Sequence, residues 1–373
     1  MKIGIPKEIM HKETRVSLVP DSVIKLLSQN NEVIIETGAG EQATFPDKSY
    51  LEAGATIAER FEELISESDI VLKIHPPNMD KHLGRVETDL LKDGSCLIGL
   101  LQPLSNTGLI ETLRSKNITS LSLDAIPRIA RAQSMDVLSS MSSLAGYKSA
   151  IMAANTLEKY FPMMMTAAGT YAPAKGLVLG AGVAGLQAIA TSKRLGAVMQ
   201  AFDVRPVVKE QVESVGATFV GLTEEENTED SGGYAKEMNE ESQNKERDLI
   251  QHYAKDADFI ITTALIPGRP APTLITKEMI TAMKPGSVII DLAAESGGNC
   301  EITKPGEKVM ENGVAIFGPL NLPSTMPIHA SQMYSRNVVN LLEHIMSEGE
   351  LVLDLDDVIT SGCCITHKGE LIS

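Results

Sequence analysis

Three glycines, Gly180, Gly182 and Gly185, stand in the order GxGxxG within the run LVLGAGVAG at 177–185. The run opens as an apolar strand and continues as a helix. In that setting the first glycine permits a tight turn, the second lets a pyrophosphate approach the backbone, and the third lets helix and strand pack closely. Phosphates would rest on the helix N-terminus, against Ala181, Gly182 and Val183. Asp203, 18 residues beyond Gly185, ends the next apolar run, where a carboxylate can accept from an adenosine ribose 2′-hydroxyl. The bland alternative is an ordinary strand-to-helix turn followed by an unrelated acid. Because a carboxylate repels a 2′-phosphate, Asp203 argues for NAD over NADP, with Arg205 as the opposing feature and Val204 between them as a further cofactor-binding candidate.

A second group of polar residues lies in RIARAQSMDVLSS at 128–140. Arg128, Ile129, Ala130, Gln133, Ser134, Met135, Asp136 and Ser139 could reach the nicotinamide end of a cofactor, offering donors, an amide and an acceptor. Equally, Ser134 or Asp136 could cap the following helix while Arg128 is solvated. The run TTALIPG at 262–268, with Ala264 and Leu265, follows another expected strand and marks either a ligand edge or a Pro-Gly turn. Arg15 and Lys73 could take a substrate carboxylate or form internal ion pairs. The seven histidines form no HxxH or HExxH pair, and no metal site is expected. An alcohol or amine dehydrogenase needs a group to move the substrate's proton, whereas transfer between two nicotinamide rings needs positioning alone.

The elements that would place these residues follow a βαβ rhythm. Apolar runs at 2–5, 32–36, 69–74, 96–101 and 119–123, with helical stretches at 21–28 and 106–115, predict one parallel sheet. Val137, Met141, Leu144, Ile151, Ala154, Leu157 and Phe161, mainly at spacings of three, four and seven, predict a long helix over 136–161. Strands at 177–179, 198–202, 218–220, 258–262, 287–291 and 314–317 predict a second sheet. A helix at 328–345, a strand at 351–355 and a hairpin at 364–373 are expected to return to the first domain. The fold class is therefore α/β, with two Rossmann-like doubly wound parallel-sheet domains separated by a cleft and the second inserted in the first. The division is 1–135 plus 328–373 against 136–327. Residues 224–246 hold nine acids against two lysines and predict a mobile surface loop at about 222–245, carrying Gly233 and Tyr234.

With 373 residues and a net charge of −16, the chain disfavours nucleic acid and anionic lipid as partners. The ten opening residues lack an apolar signal core, and three prolines break the longest uncharged stretch, 312–335. Four cysteines without CxxC spacing read as reduced structural thiols. With no Trp and few other aromatics, a nucleotide would be held by backbone and polar groups.

On the pieces IPKE (5–8), ETRV (13–16), RAQSMD (131–136), GAGVAGLQAIA (180–190), GGYAKEM (232–238), TTALIPG (262–268) and KPGSVIIDLA (284–293), the chain resembles the NAD(H)-binding soluble alpha subunits of proton-translocating NAD(P) transhydrogenases. More distantly it is similar to alanine dehydrogenase. The resemblance implies that Arg128, Gln133 and Asp136, with Ser139 nearby, order the nicotinamide. It further implies that the loop of Tyr234 closes over NAD(H), and that NADP(H) and the proton path belong to partner components. A homodimer in the cytoplasm, attached to the inner membrane only through those partners, is also implied. The pattern departs at Ala130 and Thr325. Where alanine dehydrogenases carry a catalytic histidine, this chain has Gln102 in LQPL, so that acid/base is missing. An alanine-dehydrogenase-like enzyme and a non-catalytic NAD(H) sensor remain as alternatives.

Overall fold

The computed structural model describes residues 1–81, 83–221, 240–266 and 268–372. Gly233 and Tyr234, and most of the expected acidic loop, lie outside the described residues. Contacts divide the chain into two units, Met1–Met141 with Pro323–Ser373, and Ser142–Leu322. The first unit is thus discontinuous in sequence and the second is inserted in it.

In chain order the first unit supplies β1 (Lys2–Ile5), β2 (Glu32–Glu36), β3 (Thr56–Ala58), β4 (Ile70–Leu72), the small hairpin β5 (Met79–Asp80) and β6 (Arg85–Val86), β7 (Cys96–Gly99) and β8 (Thr119–Ser122). The second supplies a hairpin, β9 (Met164–Thr166) and β10 (Gly169–Tyr171), then β11 (Lys175–Leu179), β12 (Val198–Phe202), β13 (Thr218–Phe219), β14 (Phe259–Thr262), β15 (Val288–Asp291), β16 (Lys308–Glu311) and β17 (Val314–Phe317). The tail adds the hairpin β18 (Met346–Ser347) and β19 (Glu350–Leu351), then β20 (Cys364–His367) and β21 (Glu370–Leu371).

The first unit's sheet runs β21-β20-β8-β7-β4-β1-β2-β3, parallel from β8 to β3. β4, β7 and β1 beyond Lys2 are unbroken apolar runs because helices cover both faces of such a sheet. β8 reads TSLS, yet all four residues are buried. Two of its hydroxyls meet the tail as antiparallel β20 docks along β8, Thr119 Oγ1 at 3.0 Å from His367 Nδ1 and Ser120 Oγ at 2.7 Å from Thr366 Oγ1, while Ser122 Oγ donates to Asp124 Oδ1 at 2.5 Å. The hairpin into β21 turns at Lys368 and Gly369, both left-handed, as a two-residue turn requires.

The second unit's sheet runs β13-β12-β11-β14-β15-β17-β16, parallel except for the β16 edge. Strand order reverses between β11 and β14, and ligands settle outside the carboxyl ends of strands at such a point. The glycine-rich turn leaves β11 there, and residues 263–266 leave β14 beside it.

Several expected elements differ. The helix over 136–161 is observed at Val137–Thr156. Leu157 and Phe161 stay buried outside it, and Phe161 stacks on Phe259 with ring centroids 4.7 Å apart. Its later buried positions are Ala150 and Ala153 rather than Ile151 and Ala154, because this part packs by close approach of small residues. The strand at 351–355 shrinks to Glu350–Leu351, because the chain turns where the Asp356 amide donates to Asp354 Oδ1 at 3.1 Å. The loop to 245 is overturned from residue 240 onward. A helix, Glu240–Ala254, occupies that stretch, anchored by Ile250 and Ala254 in the core with Phe202 and Val220.

A Cβ on Gly146 would lie 2.1 Å from the Ala184 carbonyl oxygen. Gly146→Ala is expected to destabilise the chain by about 1–3 kcal/mol through overpacking. Urea unfolding checks this, and an unchanged midpoint would contradict the packing.

Candidate functional site

The turn after β11 is built by three different backbone demands. Gly180 has φ +99°, which L side chains rarely adopt, and a Cβ there would meet Thr263 Oγ1 at 2.6 Å. Gly185 lies in the first turn of the helix Val183–Arg194, and its Cβ would fall 1.9 Å from the Gly180 carbonyl oxygen. Gly182 caps that helix in extended conformation, and a Cβ on it would meet nothing within 4 Å. Two glycines are thus required by the protein itself, and the third faces open space at a helix start. The charge of a pyrophosphate suits that helix start, and the space over Gly182 leaves it an approach.

Asp203 follows β12 and is buried. Its Oδ2 accepts from the Ala181 amide at 2.7 Å and from an Arg205 guanidinium nitrogen at 2.8 Å. Oδ1 accepts from the Arg205 amide and Nε, both at 2.9 Å. These donors occupy about all the sites a carboxylate offers. A ribose hydroxyl at Asp203 therefore requires an Arg205 donor to give way. Val204 is half-buried against the core, and Val183 is exposed.

The neighbouring β14 loop joins the turn through Thr263 Oγ1, which donates to the Gly180 carbonyl at 3.0 Å. The Ala264 amide donates to Asn299 Oδ1 at 3.0 Å, and Asn299 Nδ2 returns to the Ala264 carbonyl at 2.9 Å and to that of Pro272 at 2.8 Å. Leu265 is exposed. So TTALIPG does border the glycine turn, held by Asn299, a residue that no motif signalled. Asp291, within KPGSVIIDLA but given no role there, is fully buried and accepts from Thr262 and Thr303 hydroxyls at 2.8 and 2.7 Å. Glu246, on the helix Glu240–Ala254, interacts electrostatically with Asp203. Burial first, and then Asp203, push its carboxyl from 4.5 up to about 7.

In the first unit, Arg128, Ile129, Ala130, Gln133 and Ser134 are exposed, while Ala132 and Met135 anchor the loop from beneath. Arg128, Gln133, Asp136 and Ser139 line one concavity of about 380 Å3 together with Ile129 and Ala130. Asp136 also caps the helix Val137–Thr156, accepting from the Ser139 amide at 2.8 Å and the Ser139 hydroxyl at 2.6 Å. Capping and lining the cavity are thus compatible roles for it.

Arg15 and Lys73 are paired internally. Arg15 Nε donates to Glu13 Oε1 at 2.8 Å, and His75 Nε2 lies 2.6 Å from Glu13 Oε2. Burial would raise the Glu13 carboxyl, but bonds from Arg15 and His75 outweigh it and hold it far below the carboxylate range. Lys73 Nζ donates to Glu87 at 2.8 Å, deep in the unit. All four cysteines are buried thiols. Among the described residues no cluster of His, Cys, Asp and Glu could hold a metal ion, and no helix is long and apolar enough to cross a membrane.

Gly182→Ala is expected to raise the Kd for NADH at least about tenfold while changing stability by under about 1 kcal/mol. Fluorescence titration and urea unfolding check both, and unchanged affinity would contradict the cradle. Glu246, with its carboxyl raised in the folded state, contributes stability that is full below pH 4.5 and is lost as pH rises through about 7. Glu246→Gln should therefore flatten the fall in melting temperature across that range, and an equal fall in both proteins would count against it.

Comparison with known proteins agrees with this geometry. Residues 4–145 match the family described as alanine dehydrogenase/PNT, N-terminal domain, and residues 149–373 its C-terminal domain. An NAD(P) transhydrogenase alpha subunit polypeptide of Rhodospirillum rubrum is 48% identical over 376 residues, covering 100% of this chain and 98% of the relative. A transhydrogenase structure from Sinorhizobium meliloti superposes with a TM-score of 0.89 at 40% identity, covering all of both chains. An L-alanine dehydrogenase structure gives 0.81 at 26% identity, covering 100% of this chain and 97% of the other. The chain belongs to the alanine dehydrogenase/PNT family, with NAD(P) transhydrogenase alpha subunits among its close relatives and alanine dehydrogenase more distant.

Proposed function

We propose that this chain is the NAD(H)-binding subunit of a proton-translocating NAD(P) transhydrogenase. The observation that carries this reading is the open approach to Gly182 at a helix start, beside a buried acid. NADH, when bound, supplies the hydride that passes to NADP+ held by a partner component. This chain's residues bind, orient and shield. The amides of the 180–183 turn and the helix start take the pyrophosphate, and Asp203 takes the adenosine ribose as Arg205 turns aside. Arg128, Gln133 and Asp136 fix the nicotinamide ring, with Ser139 steadying Asp136. Tyr234's loop excludes water. No residue here is asked to move a substrate proton.

The domain division in this reading is 136–327 for the nucleotide and 1–135 plus 328–373 for the other lobe. Proton coupling runs through a membrane component, and this chain stays in the cytoplasm, at the inner membrane only through its partners. A homodimer would find apolar surface on the β9–β10 hairpin, where Met163, Met165 and Tyr171 are exposed.

The alanine dehydrogenase alternative is disfavoured by two features. Gln102 stands where that branch uses histidine, and Arg15 and Lys73 are already paired with Glu13 and Glu87. The sensor alternative differs in having no hydride transfer at all. Mixing the chain with an NADP(H)-binding component, NADH and an oxidised NADP analogue is expected to reduce the analogue, followed by absorbance. Pyruvate and ammonia should oxidise no NADH with the chain alone. Turnover on pyruvate would establish the alanine reading, and no exchange with the partner would favour the sensor.

A further inference from the structure

The segment after residue 323 touches the loop 127–136 at several places that the proposed function leaves unused. The Ser134 carbonyl accepts from both Asn337 Nδ2 and Asn340 Nδ2, each at 2.8 Å. The two asparagines are three residues apart on the helix Pro327–Ile345 and so share a face. Asn337 is buried, and its Oδ1 has no hydrogen-bond partner among the described residues. An apolar side chain would avoid that desolvation, so the amide makes sense where its N–H is needed.

Arg131 reaches Asp357 Oδ2 at 2.5 Å, and its hydrogen bond pulls that carboxyl down to about 2. Asp357 is itself fixed: its Oδ1 accepts from the Ile359 and Thr360 amides at 2.8 and 3.3 Å and starts the helix Val358–Cys363. At the loop's entry, Gly362 packs so closely on Pro127 that a Cβ would lie 3.2 Å from its ring. The loop also has backbone bonds of its own, in a 3-10 helix at Ala130–Met135 and in the Ile129 amide to the Pro127 carbonyl at 2.9 Å and the Ala132 amide to the Ile129 carbonyl at 3.0 Å. The tail therefore adds anchors at Pro127, Arg131 and Ser134, from outside the segment, to the bonds the 3-10 helix makes within it.

We propose that Asn337, Asn340 and Asp357 are positioning residues, which hold the 127–136 loop ready for the nicotinamide end of NADH and thereby set affinity for it. A loop arranged before binding loses less conformational freedom when the ligand arrives. The inference rests on the reading that Arg128, Gln133 and Asp136 meet the nicotinamide.

The test uses the full chain. Asn337→Leu with Asn340→Leu is expected to weaken NADH binding about tenfold. The KM for NADH should rise in exchange with an NADP(H)-binding component, with kcat at saturation within about twofold of the parent's. Amide exchange should quicken over 127–136 and not in β11 or β14. Arg131→Ala, on an exposed side chain, and Asp357→Asn, which keeps the cap acceptor, should each weaken binding and together cost little more than either alone. That cycle and Asn340→Leu alone carry the test if the double leucine variant misfolds. Parent-like NADH affinity in the leucine variants, or fully additive losses in the cycle, would overturn this inference alone. A parent chain that binds no NADH would overturn the proposed function and this inference together.

Discussion

The close approach of helix to strand at the Gly180–Gly185 turn is the constraint from which the nucleotide site follows. With Gly185 pressed on the Gly180 carbonyl, the helix must start almost at the strand's end, and its first amides face outward over Gly182. The same geometry sends the Ala181 amide inward, where Asp203 receives it. That carboxylate then binds Arg205 twice over, and it adds to the burial that chiefly raises the Glu246 carboxyl. One steric contact thus leads to an open helix start and a braced turn with two carboxyls beside it.

Buried carboxylates organise the first unit in a similar way, but with the opposite consequence for chemistry. Glu13 and Glu87 neutralise Arg15 and Lys73, so the cations best placed to seize a small carboxylic acid are engaged within the protein. Asp136 is spent partly on a helix cap and still lines a cavity with Arg128 and Gln133. The unit offers polar contacts around a concavity, which suits a task of orientation.

Much of this was legible in the sequence. The parallel strands announce themselves as apolar runs, and GxGxxG with Asp203 locates the turn because its backbone demands are local. The small hairpin β5–β6 and strand β18 were not legible, since two-residue strands exist only through their pairing. β8 was legible despite its serines, yet the partner that satisfies Ser120 lies 246 residues away. Asn299, Asp291, Asn337 and Glu246 escaped for the same reason: each acts on a segment distant in sequence, and a single polar residue carries no periodic signal. The helix at 137–156 was found by spacing, but its later buried face turned on alanines, where close backbone approach outweighs side-chain size.

Crystallising the chain with NADH and locating the pyrophosphate addresses the central claim most directly. The account expects phosphate oxygens within hydrogen-bond distance of the Gly182 and Val183 amides, with the nicotinamide end near Arg128, Gln133 and Asp136. A dinucleotide seated elsewhere, or a glycine turn left empty at saturating NADH, would contradict it.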